Sequence, residues 1–135
     1  IVAMVSVSSN AQSATAGARK LLEENPQINL LVGFNEWSTL GVGMAIKELG
    51  LKDRVCAIGF DNNTECVGML ETGELDTLIV QNPFSMGYLA VMNAANILSG
   101  KKTENVIKTD VYVVDRSNMF SADVQKILFG FDKYD

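Results

Sequence analysis

The sequence contains no histidine, and its 135 residues include only two cysteines, two prolines and one tryptophan. Without histidine, a Ser-His-Asp or Cys-His catalytic group is excluded within this chain. A zinc site needs about four nitrogen, sulfur or oxygen ligands at close spacing, and two cysteines do not supply them. We therefore expect no catalytic residues, no metal and no cofactor, and a protein that is not an enzyme.

The two cysteines, Cys56 and Cys66, both have apolar neighbours in the sequence. Cysteine in such surroundings behaves as a small hydrophobic residue. We expect two buried free thiols rather than a disulfide.

Long apolar runs are also absent. None approaches the roughly 20 residues that span a bilayer, and the start of the chain has no signal-peptide pattern. The net charge of −5 gives an acidic surface, which repels phosphate backbones, so nucleic acid is not expected as a partner. Because the chain opens on Ile1 within an apolar run, we interpret it as a piece of a longer domain.

Apolar segments and helix-period segments alternate along the chain. Predicted strands cover residues 1–7, 28–34, 54–60, 75–80 and 109–115, and predicted helices cover 12–24, 36–49, 63–73, 83–100 and 121–129. Nearly continuous apolar strands are typical of parallel strands that are covered on both faces. The alternation predicts an α/β fold with a doubly wound, mostly parallel sheet.

Polar residues follow three neighbouring predicted strands. Asn35 ends the second strand, Asp61 ends the third, and Gln81 with Asn82 ends the fourth. Ligands of such sheets bind beyond the carboxyl ends of the strands. A carboxylate accepts hydrogen bonds from hydroxyls and an amide both donates and accepts, which suits a polyol such as a sugar. Asn and Asp are also preferred helix N-caps, so capping alone is an open alternative.

Five segments carry a resemblance that covers about residues 20–115. They are "LLEENPQINLLVGFNE", "LGVGMAIKELG", "VCAIGFDNNTECVGMLETGELDTLIVQNPFSMGYLAV", "ILSGKK" and "VYVVDRSN". In combination they resemble the C-terminal part of type I periplasmic sugar-binding proteins, the ribose- and galactose-binding family of ABC transporters. The resemblance implies that Asn35, Asp61 and Gln81 contact sugar hydroxyls.

Two positions depart from the family pattern. The family usually has Asp after the strand-end Asn, where this chain has Glu36. An aromatic residue often flanks the sugar near the first helix, whereas Ser9 and Asn10 occupy that region here. Asn10 is therefore a possible further ligand residue, and Trp37 or Phe84 is a possible stacking face.

The family has two lobes that close on the ligand, and the resemblance implies how this chain divides. Residues 1–82 would be part of the C-terminal lobe. Residues 83–108 would be a crossover helix and loop that pack on the N-terminal lobe, which the sequence does not contain. Residues 109–135 would be a returning strand and a C-terminal tail.

The resemblance implies the substrate-binding component of an ABC sugar importer, located outside the cytoplasm. Its partners would be a small sugar and the membrane subunits of the transporter. Two alternatives stay open: the effector lobe of a LacI-type transcription regulator, and the sugar-sensing ectodomain of a receptor. LacI-type repressors usually carry "P-E-D" before the "GFD" strand, where this chain has "GLKDRV", which favours the transporter.

The first three predicted helices would cover one face of the sheet. The opposite apolar face would then meet water, at a cost of roughly 25 cal/mol per Å². We expect helix 83–100 or a second copy of the chain to cover this face, and therefore predict self-association.

Overall fold

A computed structural model describes residues 1–129 of the chain. Its elements in chain order are α1 Ala11–Glu24, β1 Leu30–Val32, α2 Glu36–Leu49, β2 Cys56–Phe60, α3 Thr64–Thr72, β3 Thr77–Gln81, α4 Pro83–Leu98, β4 Val111–Asp115 and α5 Ala122–Phe129. All five predicted helices and four of the five predicted strands are confirmed, with ends within two residues of those expected.

The four strands form one sheet in the order β1-β2-β3-β4, with β1, β2 and β3 parallel. Arg116, directly after β4, pairs with Asp76, directly before β3, at 3.2 Å. The end of β4 therefore lies beside the start of β3, so these two strands run in opposite directions. The predicted mostly parallel α/β fold is confirmed.

The predicted strand over residues 1–7 is wrong. These residues form no strand, and β1 pairs only with β2. The segment lies against α1 instead: a Cβ atom on Gly17 would sit 2.7 Å from Cγ1 of Val7. An apolar cavity of about 540 Å³ is lined by both this segment and β1. Packing of side chains against α1 thus takes the place of a backbone ladder.

Helix α2 covers one face of the sheet at very short range. A Cβ atom on Gly59 would lie 2.0 Å from Cγ2 of Thr39 in α2, so only glycine permits this approach. Helix α1 packs on α2 in a similar way, because a Cβ atom on Gly41 would lie 2.4 Å from Cβ of Ala14. Close contact between these elements holds the strand ends in place.

The opposite face of the sheet is less covered. The register pairs Leu30 with Cys56, and both side chains are exposed. The expectation that Cys56 is buried is therefore wrong, because alternation along β2 turns it away from α2. Cys66 in α3 is buried, and both cysteines are free thiols as expected.

The chain divides into two compact units, Ile1–Val80 with the residues from Val113 onward, and Gln81–Tyr112. The second unit contains α4, which has no buried residue and stacks Phe84 on Tyr88 with ring centroids 6.5 Å apart. The predicted boundaries at residues 82 and 108 stay a prediction. Within residues 1–129, no helix combines the length and apolarity needed to cross a membrane.

Candidate functional site

Asn35 and Asp61 lie at equivalent positions after two paired strands. Val32 of β1 pairs with Ile58 of β2 in parallel register, and each site residue comes three positions later. Neighbouring strands lie about 4.8 Å apart, so the two side chains start from the same edge of the sheet. The sequence prediction that these two residues share an edge is consistent with this register.

Asn35 is the N-cap of α2. Its Oδ1 accepts a hydrogen bond from Ser38 N at 2.8 Å, and Ser38 Oγ accepts one from Asn35 N at 2.9 Å. This capping box occupies the amide oxygen. Among residues 1–129 the Nδ2 amide makes no hydrogen bond, so it is available as a donor. Asn35 can therefore cap the helix and still bind a ligand.

Asp61 is not a cap. The N-cap of α3 is Asn63, whose Oδ1 accepts from Glu65 N at 2.8 Å. The alternative that Asp61 serves as a helix N-cap is therefore wrong, because the chain turns at Asp61 before the helix begins. Its φ of 70° lies in the left-handed region, the only non-glycine example in the described part of the chain.

The Asp61 carboxylate is half-buried, and within residues 1–129 it has no hydrogen bond or ion pair. Its backbone is anchored, since Asp61 N donates to Ile79 O of β3 at 3.0 Å. Left-handed backbone costs about 1–2 kcal/mol for most residues other than glycine, and Asp and Asn adopt it more readily than the others. An unusual backbone conformation combined with an unpaired carboxylate motivates the hypothesis of a ligand-binding position.

The loops that carry Asn35 and Asp61 touch each other at two further points. The rings of Phe34 and Phe60, which directly precede the site residues, have centroids 6.1 Å apart. Asn63 Nδ2 donates to Glu36 Oε1 at 2.7 Å. Sequence reasoning missed both contacts, although the repeated "GFN" at 33–35 and "GFD" at 59–61 could have indicated the aromatic pair.

Three carboxylates lie near this edge of the sheet. Burial raises the pKa of the Cys66 thiol to about 12, and the negative charges of Glu36, Glu65 and Asp61 add to the increase. Such an edge accepts hydrogen bonds from hydroxyl groups and repels anions. In the part of the chain that the structure describes, no group of three or more metal-ligating side chains occurs.

The other candidate residues lie outside this pair. Asn10 is exposed and caps α1, where its Oδ1 accepts from Ser13 N at 2.8 Å. Trp37 is 40% exposed in the first turn of α2. Gln81 ends β3 and, like the exposed Phe84, belongs to the second compact unit. The ligand roles of Gln81, Asn10, Trp37 and Phe84 stay predictions.

A capping pattern recurs that sequence reasoning did not use. Asn-x-x-Ser occurs five times in the sequence, and in three of these the Asn side chain accepts from the Ser backbone N–H. The pairs are Asn10 with Ser13, Asn35 with Ser38, and Asn82 with Ser85. In these three cases the pattern coincides with a helix start, whereas the serines at 99 and 121 donate their N–H to backbone carbonyls instead.

Comparisons with known proteins show which family the chain is similar to. A family profile described as "Periplasmic binding protein domain" matches residues 1–102. The chain is similar to the ribose import binding protein of Bacillus subtilis (strain 168), with 34% identity over 87 residues, 64% of this chain and 28% of that protein. It is also similar to the D-allose-binding periplasmic protein of Escherichia coli (strain K12), with 30% identity over 70 residues, 52% of this chain and 22% of that protein.

Solved structures of solute binding proteins are also similar to this chain. A solute binding protein of an ABC transporter from Agrobacterium vitis, with bound D-fucose, superposes with a TM-score of 0.85 at 30% identity, over 96% of this chain and 44% of that chain. A carbohydrate transporter solute binding protein from Agrobacterium radiobacter, in complex with D-arabinose, gives 0.82 at 30% identity, over 90% and 41%.

The chain spans less than half the length of each of these relatives. The match to the family profile extends over most of the 135 residues, and the relatives share its α/β lobe. The resemblance to sugar-binding proteins of ABC transporters is confirmed. The chain belongs to the periplasmic binding protein family.

Proposed function

We propose that this chain supplies part of one lobe of the substrate-binding component of an ABC sugar importer. A monosaccharide or similar polyol would be held between two lobes, with Asn35, Asp61 and Gln81 as contacts from this lobe. The protein would act outside the cytoplasm, deliver its sugar to the membrane subunits of the transporter, and catalyse no reaction. The ribose import binding protein and the D-allose-binding periplasmic protein to which the chain is similar support this assignment.

The unpaired carboxylate of Asp61 is the observation that carries the proposal. It is half-buried, has no partner among residues 1–129 and sits on a strained backbone. Asp61 neither caps α3 nor forms an ion pair within residues 1–129, so neither of these folding roles occupies its carboxylate. A sugar hydroxyl that donates to this carboxylate would compensate its partial desolvation.

The chemistry around Asp61 favours a neutral ligand. The nearby carboxylates of Glu36 and Glu65 oppose a phosphorylated sugar, whereas a neutral sugar meets no such repulsion. The free Nδ2 of Asn35 provides a donor beside the Asp61 acceptor, a combination that fits adjacent hydroxyls. The exposed ring of Phe34 adds an apolar surface next to this pair.

Calorimetric titration of the full-length gene product with D-ribose, D-allose, D-arabinose and D-fucose tests the proposal. We expect at least one of these sugars to bind. Asp61→Asn should then weaken binding by about 1.5–3 kcal/mol, or roughly tenfold or more in Kd, because a charged acceptor is lost. Asn is suitable because it tolerates the left-handed conformation, whereas Ala would add strain.

Glu65→Gln is the matched control. It removes the same charge from an exposed position in the first turn of α3. It should leave Kd almost unchanged, and both variants should keep the melting temperature near that of the wild type. Binding of no sugar, or equal losses in both variants, would contradict the proposed role of Asp61.

We further propose that the chain of 135 residues self-associates through the sheet face that carries Leu30 and Cys56. Both side chains are exposed on this face, and exposed apolar sheet surfaces favour association. Sedimentation velocity should show dimers or larger species for the wild-type chain, and monomers for Leu30→Glu. A wild-type chain that stays monomeric at high concentration would exclude this interface.

A further inference from the structure

The side chain of Asn63 makes two hydrogen bonds in two directions. Its Oδ1 accepts from Glu65 N at 2.8 Å, which caps α3. Its Nδ2 donates to Glu36 Oε1 at 2.7 Å, which reaches the first turn of α2. One amide therefore joins the starts of two neighbouring helices. We call the contact between Glu36 and Asn63 the interloop bridge.

Both ends of the interloop bridge lie close in sequence to a candidate ligand residue. Glu36 directly follows Asn35, and Asn63 comes two residues after Asp61. Both bridge residues are half-buried, and the acceptor is a carboxylate. A hydrogen bond to a charged acceptor that is partly shielded from water is stronger than a neutral, exposed one.

The Asp61 loop is also anchored on its other side. Asn62 Nδ2 donates to the carbonyl oxygens of Ile127 at 3.1 Å and Leu128 at 2.7 Å, in the last turn of α5. Asn62 and Asn63 thus hold the loop to α5 and α2, while the Asp61 side chain stays unpaired. Successive residues have separate tasks: one presents a carboxylate, and the next two fix its position.

The alternative is that Asn63 serves only as a cap. Its Oδ1 is sufficient for capping, and many N-cap residues have no second partner. The separate use of Nδ2 towards a side chain on another helix goes beyond that role. In the described part of the chain, two side-chain contacts join these two loops. One is the contact between the rings of Phe34 and Phe60, and the other is this hydrogen bond from Asn63 to Glu36.

We propose that Glu36 and Asn63 are positioning residues, whose bridge sets the separation of Asn35 and Asp61 so that both can contact one ligand. This inference rests on the proposed function. Neither residue needs to touch the sugar. Their effect on binding would come from the geometry of the two residues that do.

Asn63→Asp tests the bridge while it keeps the cap. Its carboxylate can still accept from Glu65 N but would face the carboxylate of Glu36, so the bridge should become repulsive. In the full-length gene product we expect the Kd for D-ribose and D-allose to rise about tenfold, equivalent to about 1.4 kcal/mol. Glu36→Gln alone should bind like the wild type, because its amide oxygen still accepts from Asn63.

The double variant Glu36→Gln with Asn63→Asp reverses the direction of the hydrogen bond. The amide introduced at position 36 can donate to the carboxylate introduced at position 63, and the net charge equals that of the wild type. We expect its Kd to return to within about threefold of the wild-type value. Such a rescue would not occur if Asn63→Asp acted only through a damaged cap, because the cap at position 63 is the same in both variants.

Hydrogen exchange without sugar gives a readout that does not depend on ligand identity. Backbone amides of residues 35–38 and 61–66 should exchange faster in Asn63→Asp and recover in the double variant. Unchanged exchange and unchanged affinity in Asn63→Asp, or a double variant as impaired as the single one, would overturn the inference. Failure of the wild type to bind these sugars would instead count against the proposed function, while the exchange data would still decide whether the bridge orders the loops.

Discussion

The hydroxyl of Thr39 in α2 stands between the ends of β1 and β2, where it accepts a hydrogen bond from Phe60 N at 2.8 Å. The same oxygen lies 3.1 Å from Phe60 O and 3.5 Å from Gly33 O, either of which can accept its proton. In a continued parallel ladder, Phe60 N would donate to the β1 backbone. A fully buried helix side chain therefore separates the two strands just before Asn35 and Asp61.

This relationship predicts that Thr39→Val will damage both stability and binding. Valine has nearly the same shape but leaves the buried Phe60 N–H without a partner, which should lower the free energy of unfolding by about 1–3 kcal/mol. Urea unfolding would measure the loss. Thr39→Ser, which keeps the hydroxyl, should lose less. A valine variant as stable as the wild type would show that this hydrogen bond does not contribute to stability.

Asn35→Ser should separate capping from ligand binding. Serine is as good an N-cap as asparagine, so the melting temperature should change little. The substitution removes the Nδ2 donor, which has no partner among residues 1–129. We expect calorimetry to show weaker sugar binding by about 0.5–1.5 kcal/mol, the net contribution of one neutral hydrogen bond. Unchanged Kd with a lower melting temperature would mean that Asn35 is only a cap.

Two helix glycines should respond to alanine in opposite ways. A Cβ atom on Gly41 would lie 2.4 Å from Cβ of Ala14, so Gly41→Ala should cost about 1–3 kcal/mol through overpacking of α1 on α2. A Cβ atom on Gly68 in α3 would meet no atom within 4 Å. Gly68→Ala should therefore stabilise the chain by up to about 1 kcal/mol. Thermal and urea unfolding of both variants would show whether the signs differ.

The two thiols should react very differently. Cys66 is buried and its pKa is raised to about 12, so it should react with a disulfide reagent only after unfolding. Cys56 is exposed, but partial burial and the charge of Asp76 raise its pKa. Its thiolate should form only at alkaline pH, so its reaction rate should increase as the pH rises from about 7 to about 10.

Asp76→Asn supplies a control for the cysteine prediction. Without the neighbouring negative charge, the pKa of Cys56 should fall, and the same reaction rate should be reached at a lower pH. Cys66 should not respond to this change. Labelling of both thiols at equal rates in the folded protein would show that the packing around α3 is not as described.

Much of the fold could be predicted because its signals are local. The apolar runs and helix periods located nine elements to within two residues, since glycine at residues 50 and 73 and the N-caps mark helix ends in the sequence itself. Residues 1–7 were the exception. Their apolar pattern is that of a strand, but a strand also requires a paired neighbour, which is a property of distant parts of the chain.

The same division applies to the site. The order of residues alone placed Asn35 and Asp61 after neighbouring strands, because parallel strands must end at the same edge. Whether the side chain of each residue is already hydrogen-bonded depends on long-range contacts. Asn62 donates a hydrogen bond to α5 and Asn63 donates one to Glu36, while the backbone turns left-handed at Asp61 between β2 and α3. Side-chain type thus determined what each strand end can bind, whereas packing between distant segments decided which polar groups are already satisfied and which remain free for a ligand.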